Sequence, residues 1–278
     1  MTPDDITLLV MAGGLGSRFG GDKQLVDVGP DGEAFLDFAI RDALAAGIGH
    51  IVVVARTDLD VLLREHLERQ HGPDLPLTIV HQDTYGPERR KPWGTGHAVL
   101  SAADACSGAV VVLNADDHYG PSGVRRTVEA LLATDGRNAV ILAFELGHTL
   151  SSAGSVSRGI CRVVDGRLVD LVETHGIRRH DGRIIADDPS GQLSDDVPVS
   201  MNLWGLPAAA MARLAGQWAA FHVVHSDDPS AEFLLPEALD QQRSEGLLHI
   251  DVVGTDEPWI GVTSRDDLEV ARAALAGA

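Results

Sequence analysis

The stretch Leu8 to Lys23, LLVMAGGLGSRFGGDK, runs from an apolar segment straight into a glycine-rich loop that carries one arginine and one lysine. An apolar strand that ends in such a loop belongs in a parallel sheet buried on both faces, where ligands sit outside the carboxyl ends of the strands. Gly13, Gly14, Gly16, Gly20 and Gly21 let the backbone take positive φ and present bare N–H groups, which is how a loop wraps a polyphosphate. A glycine cluster alone reads equally as a flexible turn; the two cations inside it, Arg18 and Lys23, turn the reading toward phosphate. A Walker A loop does not fit, because Asp22 precedes Lys23 and Gln24 follows it, where that motif needs Gly and then Ser or Thr. A dinucleotide fingerprint fails as well: Gly14 and Gly16 suit its first two glycines, but the third position falls on Phe19.

The positive charge of this loop stands out against a chain of 278 residues with a formal net charge of -19. That balance speaks against a nucleic-acid partner or an anionic membrane surface, either of which needs a basic face. A hydrophobic content of 44% at this length suits one α/β unit, residues 1–278, folded as two joined lobes, 1–120 and 121–278, the second including the C-terminal helix. Cys106 and Cys161 make neither a metal spacing nor a disulfide framework, so a reducing cytoplasm is the expected compartment. The N-terminus has acids where a signal peptide wants bases, and its apolar run is too short to span a membrane.

Taken in order, the pattern predicts a strand over Ile6 to Met11, a helix over Ala34 to Ala46 and a strand over His50 to Ala55. A helix over Leu59 to Gln70 and a strand over Leu77 to Gln82 continue a βαβαβ alternation. The polar loop DTYGPERRKPW follows, with Arg89, Arg90 and Lys91 in succession; it reads either as a solvated face or as an attractor for an anionic substrate. Gly94 would let the backbone approach a flat ligand, and Thr95 can cap a helix to about Ala103. A strand over Ala109 to Leu113 ends in NADDHYG, putting Asn114, Asp116 and Asp117 at its carboxyl end, as turn caps or as ligands for a hard cation. A helix over Ser122 to Ala133 and a strand over Ala139 to Glu145 come next. Two Asp-Gly turns between Gly159 and Asp188 predict antiparallel hairpins. A strand over Val197 to Leu206, helices over Pro207 to Ala220 and Leu234 to Glu245, a strand over Leu247 to Val253 and a Ser264-capped helix over Arg265 to Ala276 complete the chain.

The glycine loop reads AGGxGSRxxxxK, from Ala12 to Lys23, and resembles the signature of the sugar-1-phosphate nucleotidyltransferases, or NDP-sugar pyrophosphorylases. The resemblance covers nearly the whole chain and is greatest to the uridylyltransferase domain of bacterial N-acetylglucosamine-1-phosphate uridylyltransferases. It implies a Rossmann-like nucleotidyltransferase fold with a mixed central sheet and an antiparallel sugar-binding lobe. Arg18 and Lys23 would grip the triphosphate and the transferred phosphate, with Ala12, Gly13, Gly14, Gly16 and Ser17 lining the loop. Gln82, Gly94 and Thr95 match the base-reading positions, with an insertion of several residues between Gln82 and the GTGHA segment. Gly159, Glu173 and Asn202 match sugar-lobe positions, although Glu173 alone reads as a solvated hairpin carboxylate and Asn202 as a satisfied polar residue. The strand-end metal ligand corresponds to Asp116; Thr263 stands where the family has a second ligand, an Asp or Asn, and a hydroxyl is the weaker donor to Mg²⁺. Trp204 and Trp259 read as core. The acetyltransferase β-helix that follows in bifunctional relatives is not expected after the last helix.

The implied reaction is Mg²⁺-dependent coupling of an NTP, with UTP or dTTP favoured, to a sugar 1-phosphate or a sugar-like cyclitol phosphate. A phosphocholine-type cytidylyltransferase shares the loop but would need an aromatic cage, for which 4% aromatic residues is sparse. A nucleotide-sugar glycosyltransferase has no use for a triphosphate loop, and a non-catalytic NTP-binding regulator would yield no product.

Overall fold

The computed structural model describes residues 1–14, 23–151, 154–262 and 265–276, and the backbone alone of Lys23, Arg265 and Asp266. The first half alternates β1 (Ile6–Met11), α1 (Phe35–Ala45), β2 (His50–Ala55), α2 (Asp60–His71), β3 (Leu77–His81), α3 (Thr95–Ser101) and β4 (Ala109–Asn114). A two-residue strand β5 (Asp117–His118), α4 (Gly123–Ala133) and β6 (Ala139–Glu145) lead into an antiparallel arm of β7 (Val156–Val164), β8 (Arg167–His180), β9 (Arg183–Asp187) and β10 (Ser190–Leu193). The chain returns through β11 (Pro198–Leu206), α5 (Ala208–His225), α6 (Leu235–Ser244), β12 (Ile250–Thr255), β13 (Ile260–Gly261) and α7 (Arg265–Leu275).

The predicted strands form one sheet with the central order β3-β2-β1-β4-β11-β6-β12. Neighbours are parallel except β11, which runs antiparallel between β4 and β6. β1 is buried along its whole length and feeds both faces. Leu8 and Val10 pack with α1, α2 and α4 through Leu36, Ile40, Leu63 and Val128, whereas Leu9 and Met11 pack toward α3, α5 and α6 through Val99, Leu214 and Leu239. That alternation is the period of a strand covered on both sides. A smaller cluster of Phe35, Phe38, Val262, Ala271 and Leu275 docks α7 onto α1.

From β1 the chain winds outward through β2 and β3, then crosses back to place β4 on the other side of β1. The carboxyl ends of β1 and β4 therefore flank the topological switch point of the sheet, with Met11 opposite Asn114 in register. Both Asp-Gly turns of the arm are formed as expected, Asp165 and Gly166 at φ 51° and 74°, Asp181 and Gly182 at 49° and 76°. Two sequence expectations are corrected. Helix α5 runs on to His225 rather than ending at Ala220. The ladders β5–β13 and β9–β10 arise from pairings that no local pattern announces. Thr95 does not cap α3: Gly94 is the capping residue, and the Thr95 hydroxyl instead accepts the Leu235 N–H at 3.0 Å.

Candidate active site at the sheet switch point

Ala12 to Gly14 leave β1 with the Ala12 N–H bonded to Val54 O at 2.7 Å. The Gly14 carbonyl accepts from Gln24 Nε2 at 2.6 Å and from Arg56 Nη1 at 2.8 Å, so the start of the loop is held from both sides. Gly16, Ser17 and Arg18 lie outside the described residues, as does the side chain of Lys23, whose backbone opens a short 3-10 turn.

Gln82 sits just past β3 and is buried. Its Nε2 donates to Gly94 O at 3.0 Å and to His97 Nδ1 at 3.3 Å. Its Oε1 lies over Gly13, where a Cβ would approach it to 2.6 Å, so a side chain at that loop position would displace the Gln82 amide. Burial pushes the His97 pKa down to about 4 and so holds the ring neutral, against the Tyr85 backbone carbonyl, which favours the protonated form. Gly94 has φ 105° and ψ 178°, a region open essentially to glycine. The room left by its missing side chain is filled by the chain itself: a Cβ would lie 2.6 Å from Phe233 O. The Gly96 N–H bonds that same carbonyl at 2.9 Å, which clamps the GTG segment to the start of α6. The basic loop divides its cations. Arg89 covers Trp93 at 4.0 Å and donates to Ala231 O and Pro229 O, Lys91 pairs with Glu232, and Arg90 is exposed on the wall that also carries Gln82.

At the end of β4, Asp117 is buried and fixed: its Oδ2 accepts from Asn114 Nδ2 at 2.8 Å and from the Tyr119 hydroxyl at 3.3 Å. Asp116 is half-buried beside it. The β5–β13 ladder pairs Asp117 with Gly261 and brings residues 259–262 against this strand end. Thr263, the next residue, lies outside the described residues. Among the described residues no group of three His, Cys, Asp or Glu converges as a metal cage. Two adjacent strand-end carboxylates are nevertheless the donor set that suits Mg²⁺, which takes one or two carboxylates and completes its shell with substrate phosphates and water.

The substrate-lobe residues come together through sheet register. Gly159 of β7 stands opposite Glu173 of β8 on one side and opposite Ser200 of β11 on the other. Two residues on, the β11 register shifts, and Asn202 takes φ 68°, a left-handed conformation that asparagine tolerates better than most residues. Its Oδ1 accepts from Trp204 Nε1 at 3.0 Å and its Nδ2 donates to Asn114 Oδ1 at 3.3 Å, linking the substrate lobe to the end of β4. Gly159, Glu173, Asn202, Asn114 and Asp117 line one cavity of about 300 Å³. Trp204 is core, fully buried. Trp259 is half-buried and packs at the edge of the main core, where it also lines the cavity and carries the Arg158 guanidinium over its ring at 4.9 Å. The sequence points to Asn114 only through its place at the strand end beside Asp116 and Asp117, and to Arg158 only through its position next to Gly159.

An open α/β sheet of this strand order, with one antiparallel strand between β4 and β6 and the candidate site at its switch point, is a Rossmann-like nucleotidyltransferase fold. The chain belongs to the family of MobA-like NTP transferase domains, whose model matches residues 8–222. Among curated proteins it is 27% identical to the bifunctional protein GlmU of Hyphomonas neptunium over 271 residues, covering 95% of this chain and 50% of that one. It is 26% identical to GlmU of Roseobacter denitrificans over 272 residues, covering 96% and 52%. The chain thus spans about half the length of these relatives. A solved structure of a Bacillus anthracis protein named for glucose-1-phosphate thymidylyltransferase activity superposes with a TM-score of 0.67 at 14% identity, covering 98% of this chain and 96% of that one. At that identity the likeness speaks for the fold.

Proposed function

We propose that the protein couples an NTP to a sugar 1-phosphate, or to a sugar-like cyclitol phosphate, with release of pyrophosphate. An oxygen of the acceptor phosphate attacks the α-phosphorus, an α-phosphorus to oxygen bond breaks, and the β- and γ-phosphates leave together. The observation that carries this reading is the cavity of Gly159, Glu173 and Asn202 opening beside Asp117 at the switch point, next to the end of β1 that delivers the glycine loop. Both reactants are anions, so catalysis is charge neutralisation and positioning. Arg18 and Lys23 are assigned to the phosphates by the loop pattern. Mg²⁺ would be held by Asp116, with Asp117 or Thr263 in support, and when bound it neutralises phosphate oxygens.

Base choice is supported by the Gln82 amide. With its Nε2 engaged by Gly94 and His97, it offers the Oε1 acceptor, which suits the N3–H of uracil or thymine. Cytosine has no hydrogen at N3. A choline-type acceptor is disfavoured because the aromatic face in the cavity is already covered by the Arg158 cation.

A matrix of ATP, GTP, CTP, UTP and dTTP against sugar 1-phosphates and cyclitol phosphates, read by pyrophosphate release, tests this. Release that requires both substrates, strongest with UTP or dTTP, is the expected outcome. NTP binding with no release across the matrix would refute transferase activity.

A further inference from the structure

Arg158 occupies the acceptor cavity in a state that is uncommon for a half-buried guanidinium. Its Nε donates to Thr149 Oγ1 at 3.2 Å, its Nη1 to Ser157 O at 2.8 Å and its Nη2 to Thr149 O, all of them uncharged oxygens. Trp259 packs under its plane. No carboxylate among the described residues lies within ion-pair distance of it, although Asp117 and Glu173 face the same cavity and favour its charge. By contrast, Arg178 and Arg179, farther along the arm and more open to water, are each paired, with Asp187 and Asp195. A charge withdrawn from water needs a partner, and burial pushes the Arg158 pKa down to about 10, the direction expected when that partner is lacking.

The geometry also says what the partner would be. Five guanidinium N–H groups less the three engaged leave one free on each terminal nitrogen, the planar fork that matches two oxygens of a phosphate or carboxylate. Neutral oxygens and an aromatic plate fix that fork in place, so little side-chain entropy is lost when it engages.

We infer that Arg158 is a specificity residue of the acceptor cavity, taking an oxyanion of the acceptor substrate in its free fork. The inference rests on the reading of this cavity as the acceptor site. The oxyanion is either the acceptor's phosphate or a carboxylate elsewhere on its ring, as in a uronic acid.

Calorimetric titration of the whole protein with glucose, glucose 1-phosphate and glucuronic acid, in native, Arg158→Gln and Arg158→Lys forms, separates these. The native protein is expected to bind at least one anionic probe about ten- to hundredfold more tightly than glucose. Arg158→Gln should lose that preference, and Arg158→Lys, which keeps the charge without the fork, should retain part of it. Loss confined to glucose 1-phosphate assigns the phosphate, and loss with glucuronic acid assigns a carboxylate. Unchanged preference in Arg158→Gln, or no preference in the native protein, overturns the inference. If Arg158→Gln fails to melt cooperatively, Arg158→Lys decides: full native preference there contradicts fork recognition. UTP and dTTP binding, titrated in parallel, is expected to be the same in all three forms. Failure of the native protein to bind any NTP would count against the proposed reaction instead, not against Arg158.

Discussion

Gly94 and Gln82 hold each other in place at the candidate site. The Gly94 carbonyl fixes the Gln82 amide, and the absence of a Gly94 side chain lets Phe233 close on the same segment. Gly94→Ala would place a methyl group 2.6 Å from Phe233 O at a backbone conformation that alanine avoids. A loss of at least about 2 kcal/mol in folding stability is expected, read by urea denaturation, together with weaker NTP binding. The sequence pointed to Gly94 through its motif, but suggested that a ligand needed the space; the neighbour turns out to be a carbonyl some 140 residues away in the chain. Arg158 was illegible for the opposite reason. A single arginine before a glycine carries no spacing rule, and its meaning comes only from the uncharged oxygens and the tryptophan that surround it.

Among the elements, α1 and α2 are joined by a buried carboxylate that no periodicity reveals. Asp37 on α1 accepts His66 Nε2 at 2.6 Å and His71 Nε2 at 2.8 Å from α2, and the Ala34 N–H at 2.7 Å at its own helix start. Burial by itself would raise the Asp37 pKa; the hydrogen bonds from His66 and His71, the charge on His66 and the Ala34 N–H outweigh it and hold the carboxyl below its usual range. A carboxylate depressed on folding contributes stability above its unfolded pKa of about 3.9, and that contribution is lost as pH falls through the folded value. Asp37→Asn should therefore lower stability by about 3 kcal/mol at pH 7. The gap to the native protein should shrink as pH drops below about 4, measured as urea midpoints across pH. A gap that does not change with pH would show that the ionised form is not what ties the helices. The hairpins of the arm were legible because Asp-Gly between alternating residues is a local signal. The β5–β13 ladder was not, since two-residue strands far apart in the chain have no pattern of their own.

At the scale of the whole molecule, the apolar run of β1 and its neighbours made the parallel half readable, since buried parallel strands are continuous in hydrophobicity. The insertion of β11 between β4 and β6 is a tertiary choice and could be reached only through the resemblance. That insertion matters for the candidate site, because β11 carries Asn202 to Asn114 and so sets the cavity lined by Gly159 and Glu173 against the strand-end carboxylates. Asp116 lies at that same strand end, where the proposed reaction would place the charge that develops on the α-phosphorus. The most direct measurement follows the α-phosphate itself: UTP or dTTP labelled at that position, incubated with Mg²⁺ and the acceptor that the matrix selects, using native and Asp116→Asn protein. The expected result is label in a nucleotide-sugar product with the native protein and at least about a hundredfold less with Asp116→Asn or after EDTA. Label that stays in NTP with every acceptor, or product formed equally well by Asp116→Asn, would contradict nucleotidyl transfer at this switch point.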